Sequence, residues 1–165
     1  MDRVSILRLI DHIKARIKLL TYKLVYGKKF QIGKGVTFRR GLYVLARGTV
    51  KIGDNVFFNN GCSVCALTRI EIGKNTVFGE NVKIYDHNHR YSNLNIPIQQ
   101  QGYTGRPIKI GEDCWIASNV VILKGVTIGD HVVIGAGCVI YKDVPDNTVV
   151  VNKQELQYKA MAEGD

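Results

Sequence analysis

The residues best suited to chemistry in this chain stand together in Tyr85-Asp86-His87-Asn88-His89. The segment holds two of the chain's 4 histidines, one of them beside a carboxylate. Imidazole changes charge near neutral pH, so groups of this kind move protons or ligate metals. The segment also interrupts a rhythm. On either side of it apolar residues recur at every sixth position, and titratable residues at the one break in a regular scaffold mark the expected place of chemistry.

The 4 cysteines carry a weaker signal. Cys62-Ser-Val-Cys65 has the spacing of half a zinc ribbon but no second pair to complete it. Cys114 and Cys138 fall inside the repeats. Small buried thiols are the expectation, with no metal.

The elements that must position these residues follow from the period. Ile32-Gly, Ile52-Gly, Ile72-Gly, Ile110-Gly and Ile128-Gly restate one motif, and Ile110, Ile116, Ile122, Ile128, Ile134 and Ile140 keep a six-residue register without a slip. Six fits neither the 3.6-residue turn of a helix nor the two-residue alternation of a strand. It fits a solenoid with three short strands per coil, each side turning one apolar residue inward. Two-residue corner insertions fit the early coils, and about 20 extra residues fall between Ile84 and Ile108. Gly and Asn are expected at corners of positive φ.

Residues 4–26 read as a helix, because Ile6, Ile10, Ile13, Ile17, Leu20 and Leu24 draw one apolar stripe and Gly27 can end it. Arg3, Arg8, Lys14, Arg16, Lys18 and Lys23 lie off the stripe, which is expected either to pack on the body or its symmetry mates, or to lie on an anionic membrane. The division is residues 1–27 for this basic helix, 28–152 for the solenoid with an excursion loop at 86–107, and 153–165 for a tail with a short C-terminal helix from Gln154. Residues 1–40 carry 11 Lys/Arg against Asp2 and Asp11, the whole of the net +9, leaving the rest neutral. A basic leader on a neutral body does not suit a nucleic-acid-binding fold. The chain lacks a run of eighteen apolar residues and a secretory leader pattern, so a cytoplasmic protein is expected.

The repeats and their interruption resemble the hexapeptide-repeat acyltransferases, within them the maltose/galactoside and polysaccharide O-acetyltransferase branch. The resemblance covers residues 30–151. It rests on Asp86-His-Asn-His89, Trp115-Ile-Ala-Ser-Asn-Val-Val-Ile122, Gly125-Val-Thr-Ile-Gly-Asp130, Ile134-Gly-Ala-Gly-Cys-Val-Ile140 and Lys142-Asp-Val-Pro145. It implies a mainly β protein, a left-handed parallel β-helix of about five triangular coils. It also implies a homotrimer with sites between subunits and acetyl-CoA as donor.

By the same resemblance His87 is a general base for a sugar hydroxyl, and Asn60, one coil earlier on the same side, contacts substrate. Trp115 stands beside the base, and the Ser118 N–H stabilises the oxyanion. Asp86 and His89 flank the base as substrate-side groups, Asp86 also as a candidate to orient the imidazole. The excursion, with Arg90 and Tyr103, is implied to reach over the neighbouring subunit and shape the acceptor pocket. Ala117 and Ala136 keep the pantetheine path open. Val151-Asn152-Lys153-Gln154 replaces the family's Gly-Asn-Pro-Ala type of turn, which leaves Lys142, Lys153 and Lys159 as candidates for the adenine and phosphate end.

Two other classes use such a scaffold. A zinc hydratase requires His87, His89 and His131 to converge, and a non-catalytic scaffold keeps only the shape. The expectation is direct acetyl transfer from acetyl-CoA to a sugar or lipid-linked saccharide, as in capsule or surface-polysaccharide synthesis. Residues 4–26 are the candidate for peripheral contact at the inner membrane face.

Overall fold

From Phe30 onward each turn of the chain is three short strands and three corners. The computed structural model describes residues 3–153 and 155, with the side chains of 3–8, 11 and 12 left aside. The strands stack in parallel into three sheets, of 5, 6 and 5 strands, that form the faces of a left-handed parallel β-helix. The first face holds Phe30–Ile32, Thr49–Ile52, Arg69–Ile72, Ile108–Ile110 and Thr127–Ile128. The second holds Thr37–Phe38, Phe57–Phe58, Val77–Phe78, Trp115–Ile116, Val133–Ile134 and Val149–Val150. The third holds Tyr43–Ala46, Ser63–Ala66, Lys83–Tyr85, Val121–Leu123 and Val139–Ile140.

The six-residue period is the inward column. Ile32, Ile52, Ile72, Ile110 and Ile128 pair in register, so the spacings of 20, 38 and 18 residues all resolve to one step along the axis. Phe58 and Phe78 stack inside with ring centroids 4.7 Å apart, and the isoleucines at 110, 116, 122, 128, 134 and 140 are all buried. At the corners Asn55, Asn75, Asn81 and Asn119 take φ near +60°, a conformation asparagine adopts more readily than most residues. Coils are packed closely enough that a Cβ on Gly73 would meet the Gly111 carbonyl oxygen at 2.4 Å.

The helix spans Arg3–Tyr26, as the stripe predicts, but it sits the other way round. Leu19, Tyr22 and Tyr26 pack against the core. The Tyr22 hydroxyl donates to the Leu42 carbonyl and accepts from the Val44 N–H, both at 3.1 Å, and the Tyr26 hydroxyl donates to the Val44 carbonyl. The aliphatic stripe therefore does not pack on the body. It points outward, from Ile10 at 39% exposed to Leu24 at 86%. Two amphipathic tyrosines win the inner face because their hydroxyls satisfy backbone groups at the rim of the first coil, which Ile and Leu cannot do. No helix among the described residues is long and apolar enough to cross a membrane. The expected C-terminal helix lies outside the described residues.

The excursion is more ordered than a loop. His87–His89 pairs antiparallel with Tyr103–Gly105, and a short 3-10 turn at Ile98–Gln100 shapes the tip. The Arg106 N–H donates to the Asp86 carbonyl at 2.9 Å, closing the neck so that the coil resumes in register at Ile108.

Candidate active site

Asp86 is fully buried where the third face turns into the first. One carboxylate oxygen accepts the Leu67 N–H at 2.7 Å. The other accepts the Thr68 and Arg69 N–H groups at 2.6 and 2.8 Å and the Thr68 hydroxyl at 2.7 Å. Residues 67–69 lie one coil earlier, so the stacking brings a nest of donors under the carboxylate. A buried charge held this way is compensated by hydrogen bonds rather than by a counter-ion. Asp86 thus offers no surface to an acceptor, which corrects its expected place among substrate-contacting groups.

Its remaining contact is with His87. Asp86 Oδ1 lies 3.0 Å from His87 Nδ1. A carboxylate only accepts, so Nδ1 carries a proton, and in the neutral ring the lone pair is on Nε2. The imidazole is about one-fifth exposed and meets the Tyr103 ring edge-on, with centroids 5.4 Å apart. His89 also packs on Tyr103, with ring centroids 4.4 Å apart. A cleft of about 80 Å³ opens beside the ring, lined by Leu45, Arg47, Ala66, Leu67, His87 and Tyr103. The imidazole is thus oriented through Nδ1, between an aromatic wall and solvent. Arg90 is exposed further out on the ribbon.

The other expected site residues stand elsewhere. Asn60 is not on the same side as His87. The coil step of 20 residues puts it in a column with Arg40 and Glu80, between the second and third faces. Its amide is committed there, accepting the Arg40 N–H at 3.2 Å and donating to Glu80 at 3.0 Å. Ser118 continues that column, its hydroxyl accepting the Glu80 N–H at 3.1 Å, and the Gly137 N–H donates to its carbonyl. Ala117, half-buried, and Ala136, exposed, lie at the same corner. Trp115 faces outward on the second face and is 56% exposed. Lys142 reaches over the Tyr141 ring at 5.7 Å, and Lys153 is exposed beyond the final strand of the second face. The candidate residues thus form two half-sites at different corners of one chain, and no contact among the described residues joins them.

His131 pairs with Asp113 at 3.0 Å, at the corner between the first and second faces, away from His87 and His89. Among the described residues no three His, Cys, Asp or Glu side chains group as a metal site. All 4 cysteines are buried, and burial pushes the thiols of Cys62, Cys65 and Cys114 up from their ordinary range. Reading the motifs missed Arg47 altogether. The step of 20 that links Arg47, Leu67 and His87 was the signal able to find it.

A family profile described as "Bacterial transferase hexapeptide (six repeats)" matches residues 107–142. A maltose O-acetyltransferase from Clostridium difficile 630 superposes with a TM-score of 0.67 at 30% identity, covering 83% of this chain and 81% of that one. A hexapeptide-repeat acetyltransferase from Vibrio cholerae O1 biovar eltor, solved with acetyl coenzyme A, superposes with a TM-score of 0.65 at 28% identity, over 79% of this chain and 70% of that one. Galactoside O-acetyltransferase of Escherichia coli K12 is 60% identical over 43 residues, 26% of this chain and 21% of that protein. The first few curated relatives are matched over only 21–39% of their own length. The six-residue register, the triangular coils and a maltose O-acetyltransferase matched over four-fifths of its length converge on one conclusion: this chain belongs to the hexapeptide-repeat acyltransferase family.

Proposed function

We propose that this chain is an acetyl-CoA-dependent O-acetyltransferase acting on a sugar hydroxyl, with His87 as the general base. The observation that carries the reading is the Asp86–His87 pair, which commits Nδ1 to the carboxylate and leaves Nε2 as the nitrogen available to an acceptor, on a ring that lines a cleft. His87 takes the proton of the acceptor hydroxyl as its oxygen bonds to the thioester carbonyl carbon. The Ser118 N–H of a neighbouring copy receives the oxyanion. Collapse breaks the carbon–sulfur bond, and the imidazolium returns its proton to the departing thiolate. No cysteine is needed, since all 4 are buried. Ala117, Ala136, Lys142 and Lys153 make up the donor side, and Trp115 of the neighbouring copy stands beside the base.

The reading includes a homotrimer. The outward row of the second face is apolar after Thr37, running Phe57, Val77, Trp115, Val133 and Val149, whereas that of the first face, Gln31, Lys51, Glu71, Lys109 and Thr127, is polar throughout. An apolar ladder beside one half-site, and Leu94 96% exposed on the ribbon tip, suit burial against other copies.

A cytoplasmic location with peripheral contact at an anionic membrane face completes the reading. Leu9, Ile13, Ile17, Leu20 and Leu24 face away from the coils, 49–86% exposed. At 100° per residue, Lys14 flanks this stripe on one side and Arg16 and Lys23 on the other. A second copy's helix would set like charges against these, whereas anionic headgroups complement them.

Thiol release from acetyl-CoA against a panel of sugars and lipid-linked saccharides, comparing wild type with His87→Ala, tests the chemistry. A loss of about 10²–10⁴-fold is expected for the variant. Equal turnover by the two proteins removes His87 as the base. Co-sedimentation with anionic vesicles tests the helix, where Leu20→Glu/Leu24→Glu is expected to stay in the supernatant. Equal sedimentation, or a change of oligomeric state without vesicle binding, removes the membrane contact.

A further inference from the structure

We propose that the acceptor carries a negative charge, as a carboxylate or a phosphate, and that Arg47 reads it; this rests on the acetyl-transfer reading above. Arg47, Leu67 and His87 occupy successive coils at the corner between the third and first faces. Ala46 pairs with Ala66 on the strands that lead into it, and Cys65 pairs with Tyr85. Two strand spacings separate the Arg47 and His87 backbones, roughly 10 Å along the axis. That interval suits a pyranose ring with a hydroxyl at Nε2 and a charged substituent at the guanidinium. Arg47 shares the cleft with the base, and its guanidinium makes no hydrogen bond or ion pair to any described residue.

The surrounding charge points the same way. Lys29 donates to the Arg47 carbonyl at 2.8 Å. Arg69 and Arg106 adjoin Asp86 through their backbones, and Lys124 contacts Thr104 on the ribbon. Of the carboxylates here, Asp86 is buried and fully hydrogen-bonded, Glu71 is paired with Arg69 at 3.8 Å, and Asp143, two coils beyond His87, accepts the Thr127 N–H at 2.7 Å. The acids collect instead at the corner between the first and second faces, at Asp54, Glu112, Asp113, Asp130 and Asp146. A body that is neutral in sum is therefore divided, with its basic edge around the base. Such an edge raises the local concentration of an anionic substrate. A guanidinium fork, rather than an ammonium, fits the planar carboxylate or the phosphate in two-point contact.

The test uses the full chain with matched acceptors: a methyl glucoside, the corresponding methyl glucuronide and a nucleotide-linked glucose. Carboxylate and phosphate are told apart by which charged acceptor gains over the neutral one. Arg47→Gln is expected to raise KM for the preferred charged acceptor by about 10–100-fold, as loss of a charge-assisted hydrogen bond does. The neutral sugar, kcat and the KM for acetyl-CoA stay within twofold, and Arg47→Lys recovers part of the loss. An equal effect on charged and neutral acceptors overturns the proposal, as does an effect on the KM for acetyl-CoA alone. If the wild type releases no thiol with any acceptor, the acetyl-transfer reading fails. Calorimetric binding of glucuronate and of inorganic phosphate then decides the site, and equal affinity in wild type and Arg47→Gln overturns it.

Discussion

Replacing Asp86 by Asn asks the most of the site's architecture. The amide must point its NH₂ group at one of two sets of donors. On the Oδ2 side it would face the Thr68 and Arg69 N–H groups, and on the Oδ1 side the Leu67 N–H and His87 Nδ1. The second orientation opposes fewer backbone donors, so it wins. It leaves the Leu67 N–H without an acceptor, at about 1–3 kcal/mol, and weakens the charge-assisted bonds from Thr68 and Arg69. A total near 3–4 kcal/mol corresponds to a fall in Tm of about 6–16 °C for a chain of this size. The amide now donates to His87 Nδ1, which moves the ring proton to Nε2 and removes the base. Turnover by the folded protein is expected to drop by about 10²–10⁴-fold. The assays are thermal unfolding, thiol release from acetyl-CoA below the variant's Tm, and ¹⁵N chemical shifts of the imidazole to read the tautomer. Thr68→Val separates the two effects. It removes only the hydroxyl bond to Oδ2, so it is expected to cost about 1 kcal/mol with kcat preserved. An Asp86→Asn protein whose Tm falls less than about 2 °C and which keeps half of wild-type kcat would refute the account of Asp86 as both clamp and tautomer lock.

Three further outcomes follow from the geometry. Because burial raises the thiols of Cys62, Cys65 and Cys114, and likewise the phenols of Tyr22 and Tyr85, the unfolded chain gives up protons that the folded chain retains as pH climbs. Stability is therefore expected to fall above about pH 8.5–9, read as a lower urea midpoint at pH 10 than at pH 7.5, and a flat profile would contradict it. Tyr22→Phe/Tyr26→Phe deletes the hydroxyls that hold the helix to Leu42 and Val44, at about 1 kcal/mol for each bond. Trypsin should then cut faster at Lys14, Lys18 and Lys23 while the β-helix keeps its circular dichroism. Gly73→Ala drives a methyl group against the Gly111 carbonyl, and chemical denaturation is expected to show a loss of about 1–3 kcal/mol or more.

The β-helix was legible because its inward column repeats in the sequence itself. Ile32, Ile52 and Ile72 needed only to be counted, and the 38-residue gap to Ile110 exposed the excursion. The direction of the helix was not legible. A stripe such as Ile13-Ile17-Leu20-Leu24 reports that one face is apolar, not which side the chain will cover, and the inner face was taken by tyrosines whose hydroxyls find backbone partners. The Asp86 clamp was hidden for a different reason. Three of its donors are backbone N–H groups of residues 67–69, which carry no side-chain signature, so only the coil register brings them and the Thr68 hydroxyl into view. His87 stands out by type, whereas the separation of Asn60 from it lies in the step of 20, which aligns Asn60 with Glu80 and not with His87.

The neck of the excursion has a consequence for how such enzymes diversify. One hydrogen bond from Arg106 to the Asp86 carbonyl lets the wall of the prism continue at Ile108 in the register it left at Ile84. The ribbon is therefore a cassette spliced across a sealed junction. Loop-closure entropy grows only with the logarithm of length, so ribbons of quite different size fit the same junction for about 1 kcal/mol or less. On the reading proposed above, swapping residues 88–104 would exchange what His87 acts upon; it would also replace the Tyr103 wall and the Thr104 contact of Lys124, while the inward column of the coils stays as it is.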